Sequence, residues 1–359
     1  MPVRIFIIIL LLTKALFSQT AELKSLYNTL NVSKEDSLKV NILNDIGWEL
    51  RFNNPDTAIF YSTQALLLSE KLNWKQGCAN SFGQLGTYHR LKSENAKAFD
   101  FYFKGLELNK ELKNKKGIAT ALGNIGFLYK EQSDFTKALD FLLKALKIDE
   151  EIGNKNGVAR HDINIGTVYH HQNNYNKALE YYSKALKIDE ELGNLNSVAM
   201  IYGNIGSLYG NKKNFQEALK YHEKALSIFE QLNNKNGIAT ELANIGNVFE
   251  NQGDYKKALE NYLKALSIFQ SIDYKYAVAI YLANTGNLYN KMGQYKEAEK
   301  YLLAAIDLAK TINALDELRQ SEEFLSMLYE NIGKHKLALE HYRKAIILKD
   351  SIFSLENKN

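Results

Sequence analysis

The chain is poor in two residue types that shape a fold. Its 359 residues contain one cysteine and two prolines. A single cysteine excludes an intrachain disulfide. Cys78 occupies a column that later holds Ile118, Val158 and Val198, so we predict that it is a small core residue. The scarcity of proline is compatible with long helices, because proline breaks the interior of a helix.

Three kinds of functional signal are also missing. The formal charge is +4, and lysine and glutamate are scattered instead of forming the basic patch that a nucleic-acid-binding protein needs. There is no Gly-x-Ser-x-Gly, phosphate-binding loop or isolated carboxylate pair, so we expect neither an enzyme nor a cofactor. His161, His170 and His171 lack the i, i+4 spacing of a helical zinc pair, so we predict no metal site.

What the sequence has is a repeat. Glycine recurs every 40 residues at Gly86, Gly126, Gly166, Gly206, Gly246 and Gly286. Gly47 precedes this series but is one residue out of step with it. Alanine keeps the same period at Ala58, Ala98, Ala138, Ala178, Ala218, Ala258, Ala298 and Ala338. A fixed period of this length indicates a solenoid, in which each unit buries its apolar face against its neighbours.

Each unit reads as two helices. In residues 115–153, apolar side chains first recur with helical spacing, and Ser133-Asp134 then interrupts the pattern with a good N-cap for a second helix. Gly153 suits the left-handed end of that second helix. A glycine inside a helix, such as Gly126, costs about 0.5–1 kcal/mol relative to alanine. We therefore expect each such glycine to allow close packing against the alanine column of the second helix.

The motif resembles the tetratricopeptide repeat. In residues 155–193 the pattern consists of Ile165, Gly166, Tyr169, Ala178, Tyr182 and Ala185. The 40-residue form is similar to the repeats of kinesin light chain and of exported sensor regions of bacterial histidine kinases. The resemblance implies an all-α, right-handed α-solenoid over residues 36–353, with about eight helix-turn-helix units that start near residues 36, 75, 115, 155, 195, 235, 275 and 315. We predict a capping helix in 20–35 and a polar tail in 354–359.

The N-terminus differs from the repeats. Arg4 precedes the apolar run Ile5–Leu12, and a small or polar stretch follows. This pattern predicts a signal peptide in residues 1–19, with export to the periplasm or the medium. An uncleaved N-terminal membrane anchor is the alternative. No later stretch is apolar for the ~20 residues that cross a bilayer, so we predict no membrane span in the mature chain.

The resemblance also implies where a ligand binds, because first helices line the groove of such solenoids. One asparagine precedes the Ile-Gly or Thr-Gly pair in five repeats, at Asn124, Asn164, Asn204, Asn244 and Asn284. Each amide can donate and accept, so the column can pair with a peptide backbone. Bonding to neighbouring backbone or between repeats is the alternative. Further candidates on the same helices are Thr167, Ser207, Asn247, Asn287, Lys130 and His170.

Two functions remain open from the sequence. The first is a non-catalytic scaffold that holds a protein or peptide partner in the groove. The second is the sensory input region of a bacterial signalling protein, of the histidine kinase or transcription regulator type, without its output domain.

Overall fold

The computed structural model describes residues 21–52 and 54–358. The predicted signal peptide lies outside these ranges. The regular structure of the described residues consists of seventeen α-helices and no strand. Their bounds are α1 Ala21–Val32, α2 Ser37–Leu50, α3 Pro55–Lys71, α4 Lys75–Leu91, α5 Asn95–Glu111, α6 Lys115–Glu131, α7 Phe135–Glu151, α8 Lys155–His171, α9 Tyr175–Leu192, α10 Leu195–Asn211, α11 Phe215–Gln231, α12 Lys235–Asn251, α13 Tyr255–Ser271, α14 Lys275–Lys291, α15 Tyr295–Thr311, α16 Leu315–Asn331 and α17 His335–Lys358.

The helices are grouped into two compact units that divide after Asn154. The first unit contains α1 and three helix pairs, α2 to α7. Side chains of α1 pack on Ile42 and Ile46 of α2, which covers the first pair. The second unit contains five helix pairs, α8 to α17. In both units the core lies between successive helices, and Leu302 and Leu325 are examples of its fully buried members. Each unit is therefore an α-solenoid of stacked helix pairs.

The helix boundaries follow the repeat. First helices begin every 40 residues, at Lys75, Lys115, Lys155, Leu195, Lys235, Lys275 and Leu315. Asp134 caps α7 as expected, because its carboxylate accepts a hydrogen bond from the backbone N–H of Lys137 at 3.1 Å. The last helix, α17, continues through most of the predicted tail. No glycine or proline interrupts the sequence there, so the backbone has no reason to leave the helix.

Close packing explains the recurring glycine. A Cβ built on Gly166 would lie 2.7 Å from the ring of Tyr182 and 3.3 Å from the carbonyl oxygen of Ala178. The glycine therefore faces the predicted alanine, but the side chain four residues after the alanine fills most of the space. In the last repeat, Ser326 replaces glycine and donates a hydrogen bond to the carbonyl of Ala338 at 2.8 Å.

Neighbouring first helices also contact one another directly. In the first unit, the Asn44 amide of α2 donates to the Ser81 hydroxyl of α4 at 3.0 Å. In the second unit, Lys291 of α14 pairs with Glu250 of α12 at 2.7 Å. We call the surface built by α2, α4 and α6, or by α8, α10, α12, α14 and α16, the first-helix face of its unit. None of the helices in the described ranges is long and apolar enough to cross a membrane.

Candidate functional site

The asparagine column lies along the first-helix face. Asn164 is half-buried on α8, while the adjacent Ile165 and Gly166 point into the core. Helical geometry places Asn164 and Thr167 on one stripe, because residues three apart are neighbours on a helix surface. Asn204, Asn244 and Asn284 repeat this arrangement on the next three first helices, and all of them are half-buried. The second unit therefore presents four equivalent amides, and Asn124 is the corresponding residue in the first unit.

The amides of this column are not used inside the described part of the protein. Among the residues that the structure describes, no side-chain hydrogen bond involves Asn124, Asn164, Asn204, Asn244 or Asn284. Other asparagines behave differently: Asn44 bonds to Ser81, and the buried Asn109 donates to the carbonyl of Gly105 at 2.8 Å. Within the described residues, the column therefore neither satisfies local backbone nor links repeats. Its donors and acceptors remain available to a ligand or to water.

The residues three positions after the column asparagines differ in whether their side chains form hydrogen bonds within the protein. The hydroxyl of Thr167 donates to the carbonyl of Ile163 at 2.9 Å and accepts from the Tyr182 hydroxyl at 3.3 Å. Asn247 accepts from Tyr262 at 2.5 Å. In the described part of the chain, Ser207 and Asn287 make no such side-chain hydrogen bond. Thr167 and Asn247 thus anchor the second helix of their own repeat, while Ser207 and Asn287 extend the open polar stripe.

The last turn of the first helices forms a seam between repeats. The amide of Asn211 donates to Nε2 of His170 at 2.9 Å, which joins α10 to α8. Burial lowers the pKa of His170, and the neighbouring His171 lowers it further, so the neutral acceptor form is favoured. The Glu250–Lys291 pair and a 3.0 Å bond from Asn331 to Asn290 continue the seam. His170 therefore helps to hold repeats together.

Lys130 has a different environment in the first unit. Its ammonium group lies 3.8 Å from the centre of the Phe127 ring, and burial lowers its pKa. Sequence reasoning alone missed Trp48, in the last turn of α2, and Arg51, which directly follows that helix. They occupy the positions of Phe127 and Lys130 in the first repeat. The sequence does contain this correspondence. It is hard to see because Gly47 lies 39 residues before Gly86, so every position of the first repeat is shifted by one relative to the 40-residue period.

The histidines do not assemble a metal site. His161 is fully buried in α8, whereas the rings of His170 and His171 stack 6.2 Å apart near its end. Within the described residues, no group of three or more His, Cys, Asp or Glu side chains is arranged to hold a metal ion.

Comparison with known proteins agrees with this architecture. A family profile described as "Tetratricopeptide repeat" matches overlapping segments 76–151, 117–191, 157–231, 197–271 and 237–311, and a second profile of the same description matches 324–350. No curated protein matches the chain.

Several solved structures share the fold. The apo quorum sensor NprR from B. thuringiensis has 16% identity and a TM-score of 0.62, with 91% of this chain and 92% of NprR covered. The Rap conjugation gene regulator of plasmid pLS20, in complex with the Phr* peptide, has 18% identity and a TM-score of 0.61, covering 93% and 95%. BtubC from P. vanneervenii has 22% identity and a TM-score of 0.52, covering 61% and 92%. The profile matches span more than half of the sequence, and on that basis the chain belongs to the tetratricopeptide repeat family.

Proposed function

We propose that the chain is a non-catalytic scaffold that binds an extended peptide, or an extended segment of a partner protein, along the first-helix face of its second unit. The observation that carries the proposal is the column of Asn164, Asn204, Asn244 and Asn284, whose half-buried amides have no partner among the described residues. The similarity to a Rap protein that was solved with a peptide supports the same class of ligand.

The chemistry of the column suits a peptide backbone. An asparagine amide offers two donors and an acceptor, and an extended chain presents alternating N–H and C=O groups. Packed helices lie roughly 8–10 Å apart, and an extended chain rises about 3.3 Å per residue, so successive amides would meet about every third peptide residue. Such contacts bind the backbone without depending on sequence. The side chains of the ligand would be selected by the residues around the column.

A triple variant tests the proposal. We would identify the partner by affinity capture with mass spectrometry and then measure its affinity for the parent and for Asn164→Ala/Asn204→Ala/Asn244→Ala. At about 1 kcal/mol per hydrogen bond, the loss of three bonds weakens binding about 100-fold. Because these amides have no partner among the described residues, the free energy of unfolding should change by less than about 0.5 kcal/mol per site.

The matched control removes two asparagines that lie outside the column. Asn176 is exposed at the start of α9, and Asn261 bonds to the carbonyl of Lys257 in its own helix. The Asn176→Ala/Asn261→Ala variant should retain full affinity. Equal binding by parent, triple variant and control would exclude the asparagine column as the binding site.

We also propose that the chain is exported, on the basis of Arg4 and the apolar run that follows it. Expression of the full chain, followed by cell fractionation and N-terminal sequencing, tests this. A processed N-terminus near residue 20 in the exported fraction is expected. An intact N-terminus with the protein in the cytosol would contradict the proposal.

A further inference from the structure

A groove of about 500 Å³ lies between α3, α4 and α5 of the first unit. It opens on the surface that α3, α5 and α7 build, which we call the second-helix face. The apolar part of its lining consists of Cys78 and Phe82 of α4 and Phe103 and Leu108 of α5. Cys78 is buried, whereas Phe103 is 37% exposed, so the groove reaches from the core to the surface. The next five repeats have isoleucine or valine at the position of Cys78, so a smaller side chain deepens the groove here.

Carboxylates surround this apolar lining. The charged residues that line the groove are all exposed, and they are Glu70, Asp100, Lys104, Glu107 and Glu111. Asp100, Glu107 and Glu111 pair with lysines at 2.6, 2.8 and 2.9 Å. Among the described residues, Glu70 forms no ion pair. Exposed ion pairs are weak, so the paired carboxylates can exchange their lysines for the cations of a ligand.

The repeat does not require carboxylates at these positions. The preceding repeat has an equivalent groove of about 530 Å³ between α1, α2 and α3. There the positions of the three acidic residues of α5 are occupied by Phe60, Leu67 and Lys71. In the two repeats that follow, the column of Glu107 holds lysine. The negative lining is therefore a property of this groove and not of the repeat, and it favours a cationic ligand.

The composition of the lining favours a helical ligand over an extended one. The helices that build the groove pair their own backbone N–H and C=O groups, so an extended ligand would place unpaired backbone groups on an apolar surface. A helix satisfies its backbone internally. Lining residues also recur at i, i+4, as in Cys78 and Phe82 or Phe103 and Glu107, and ridges with this spacing accept the side chains of a second helix.

We propose that this groove binds a basic amphipathic helix of a partner protein. Apolar side chains of that helix pack on Phe82 and Phe103, and its lysines or arginines pair with Glu70 and Glu107. An anionic membrane surface fits less well, because the carboxylates around the groove repel its head groups. The groove is a second interaction surface, on other helices than the asparagine column, and it does not depend on the proposed function.

Defined peptides test the inference without an identified partner. The probes are fluorescein-labelled peptides of about 18 residues, or about five helical turns. The first contains leucine and lysine with helical periodicity, the second has glutamate in place of lysine, and the third alternates leucine and lysine strictly. Fluorescence anisotropy measures their binding to the full chain. The first peptide should bind more tightly than the other two.

Charge reversal locates the site. Glu70→Lys/Glu107→Lys should bind the first peptide about tenfold more weakly, because two attractions become repulsions. Glu230→Lys/Glu260→Lys changes the net charge equally at exposed sites on second helices of the second unit, and it should bind as the parent does. Phe103→Ser should also weaken binding, since it removes an apolar contact. Circular dichroism verifies that each variant is folded.

The remaining outcomes contradict the inference. No binding of the first peptide, equal binding of all three peptides, or equal weakening by both charge-reversal variants would exclude the groove as a site for a basic helix. Binding to phosphatidylserine vesicles that Phe103→Ser abolishes would reassign the groove to a membrane. A dimer in sedimentation velocity that the same variant dissociates would reassign it to a second copy of the chain. Asn164→Ala/Asn204→Ala/Asn244→Ala should bind the first peptide normally, which separates this inference from the proposed function.

Discussion

Nδ1 of His222 lies 2.7 Å from a carboxylate oxygen of Glu241, and both side chains are almost completely buried. His222 is on α11 and occupies the column that holds Tyr182 and Tyr262 in the flanking repeats. Glu241 is on α12, at the position of Ala121 in the first unit. A polar pair thus replaces apolar packing between two repeats of the second unit.

Removal of one member of this pair should destabilise the second unit. Glu241→Ala leaves the His222 ring buried without its partner, and we expect a loss of about 3 kcal/mol. The double variant His222→Tyr/Glu241→Ala restores the residues found at these positions in other repeats and should lie within about 1 kcal/mol of the parent. Hydrogen exchange in α11 and α12 measures both effects. Additive losses in the double variant would show that the two side chains are not coupled.

The buried glycines should not tolerate alanine. A Cβ on Gly246 would lie 2.7 Å from the Tyr262 ring, so Gly246→Ala should cost about 1–3 kcal/mol through overpacking. Gly83 is also inside a helix, but nothing lies within 4 Å of its would-be Cβ. Gly83→Ala should therefore stabilise the protein by up to about 1 kcal/mol through helix propensity. Thermal unfolding of the two variants, compared with the parent, should give shifts of opposite sign.

Two substitutions in the turns between helices should also change the free energy of unfolding in opposite directions. Ser133 adopts a left-handed φ of 60°, which a side chain disfavours by about 1 kcal/mol. Ser133→Gly should stabilise the first unit by up to that amount, and Gly253→Ala, at a φ of 81°, should destabilise the second. Denaturant unfolding measures both. No gain from Ser133→Gly would mean that the serine side chain offsets the backbone penalty.

The first unit should lose stability in acid through Glu94. Partial burial alone would raise the pKa of this carboxyl, but hydrogen bonds from Lys97 and His89 outweigh burial and lower the pKa to about 2. A carboxyl with a lowered pKa in the folded state stabilises fully above its ordinary pKa of 4.5, and the contribution disappears as the pH falls toward about 2. Glu94→Gln should therefore reduce the dependence of unfolding free energy on pH in this window. An unchanged slope would contradict the assignment.

Much of the fold is predictable from the sequence because its period is regular. Each unit repeats the same glycine, alanine and turn, so the starts of α4, α6 and their equivalents follow from counting. The period cannot show which side chains use their polar atoms internally. Thr167 and Asn247 look like equivalent lining residues in sequence, yet both bond to tyrosines of the second helix. Those bonds depend on the distance between helices, and the repeat pattern of the sequence does not give that distance.

In the candidate site, too, some features can be predicted from the sequence and others require the three-dimensional structure. The asparagine column is visible in the sequence, but whether its amides are used internally appears only in three dimensions. Arg51 was missed because the first repeat is one residue out of step, so its alignment with Lys130 emerged only from the fold. The pair of His222 and Glu241 joins two repeats across 19 residues. A motif search cannot pair a histidine in an aromatic column with a glutamate in a small-residue column.

The seam along the first helices has a consequence for assembly. Its links differ from one junction to the next: arginine with glutamate, histidine with asparagine, glutamate with lysine, and asparagine with asparagine. Near-identical repeats are liable to dock in the wrong order or to exchange between molecules. A slip by one repeat would give Glu250 the partner of another junction and leave Lys291 without its carboxylate. At these four junctions the link is different each time, so each of the linked repeats fits best beside its own successor.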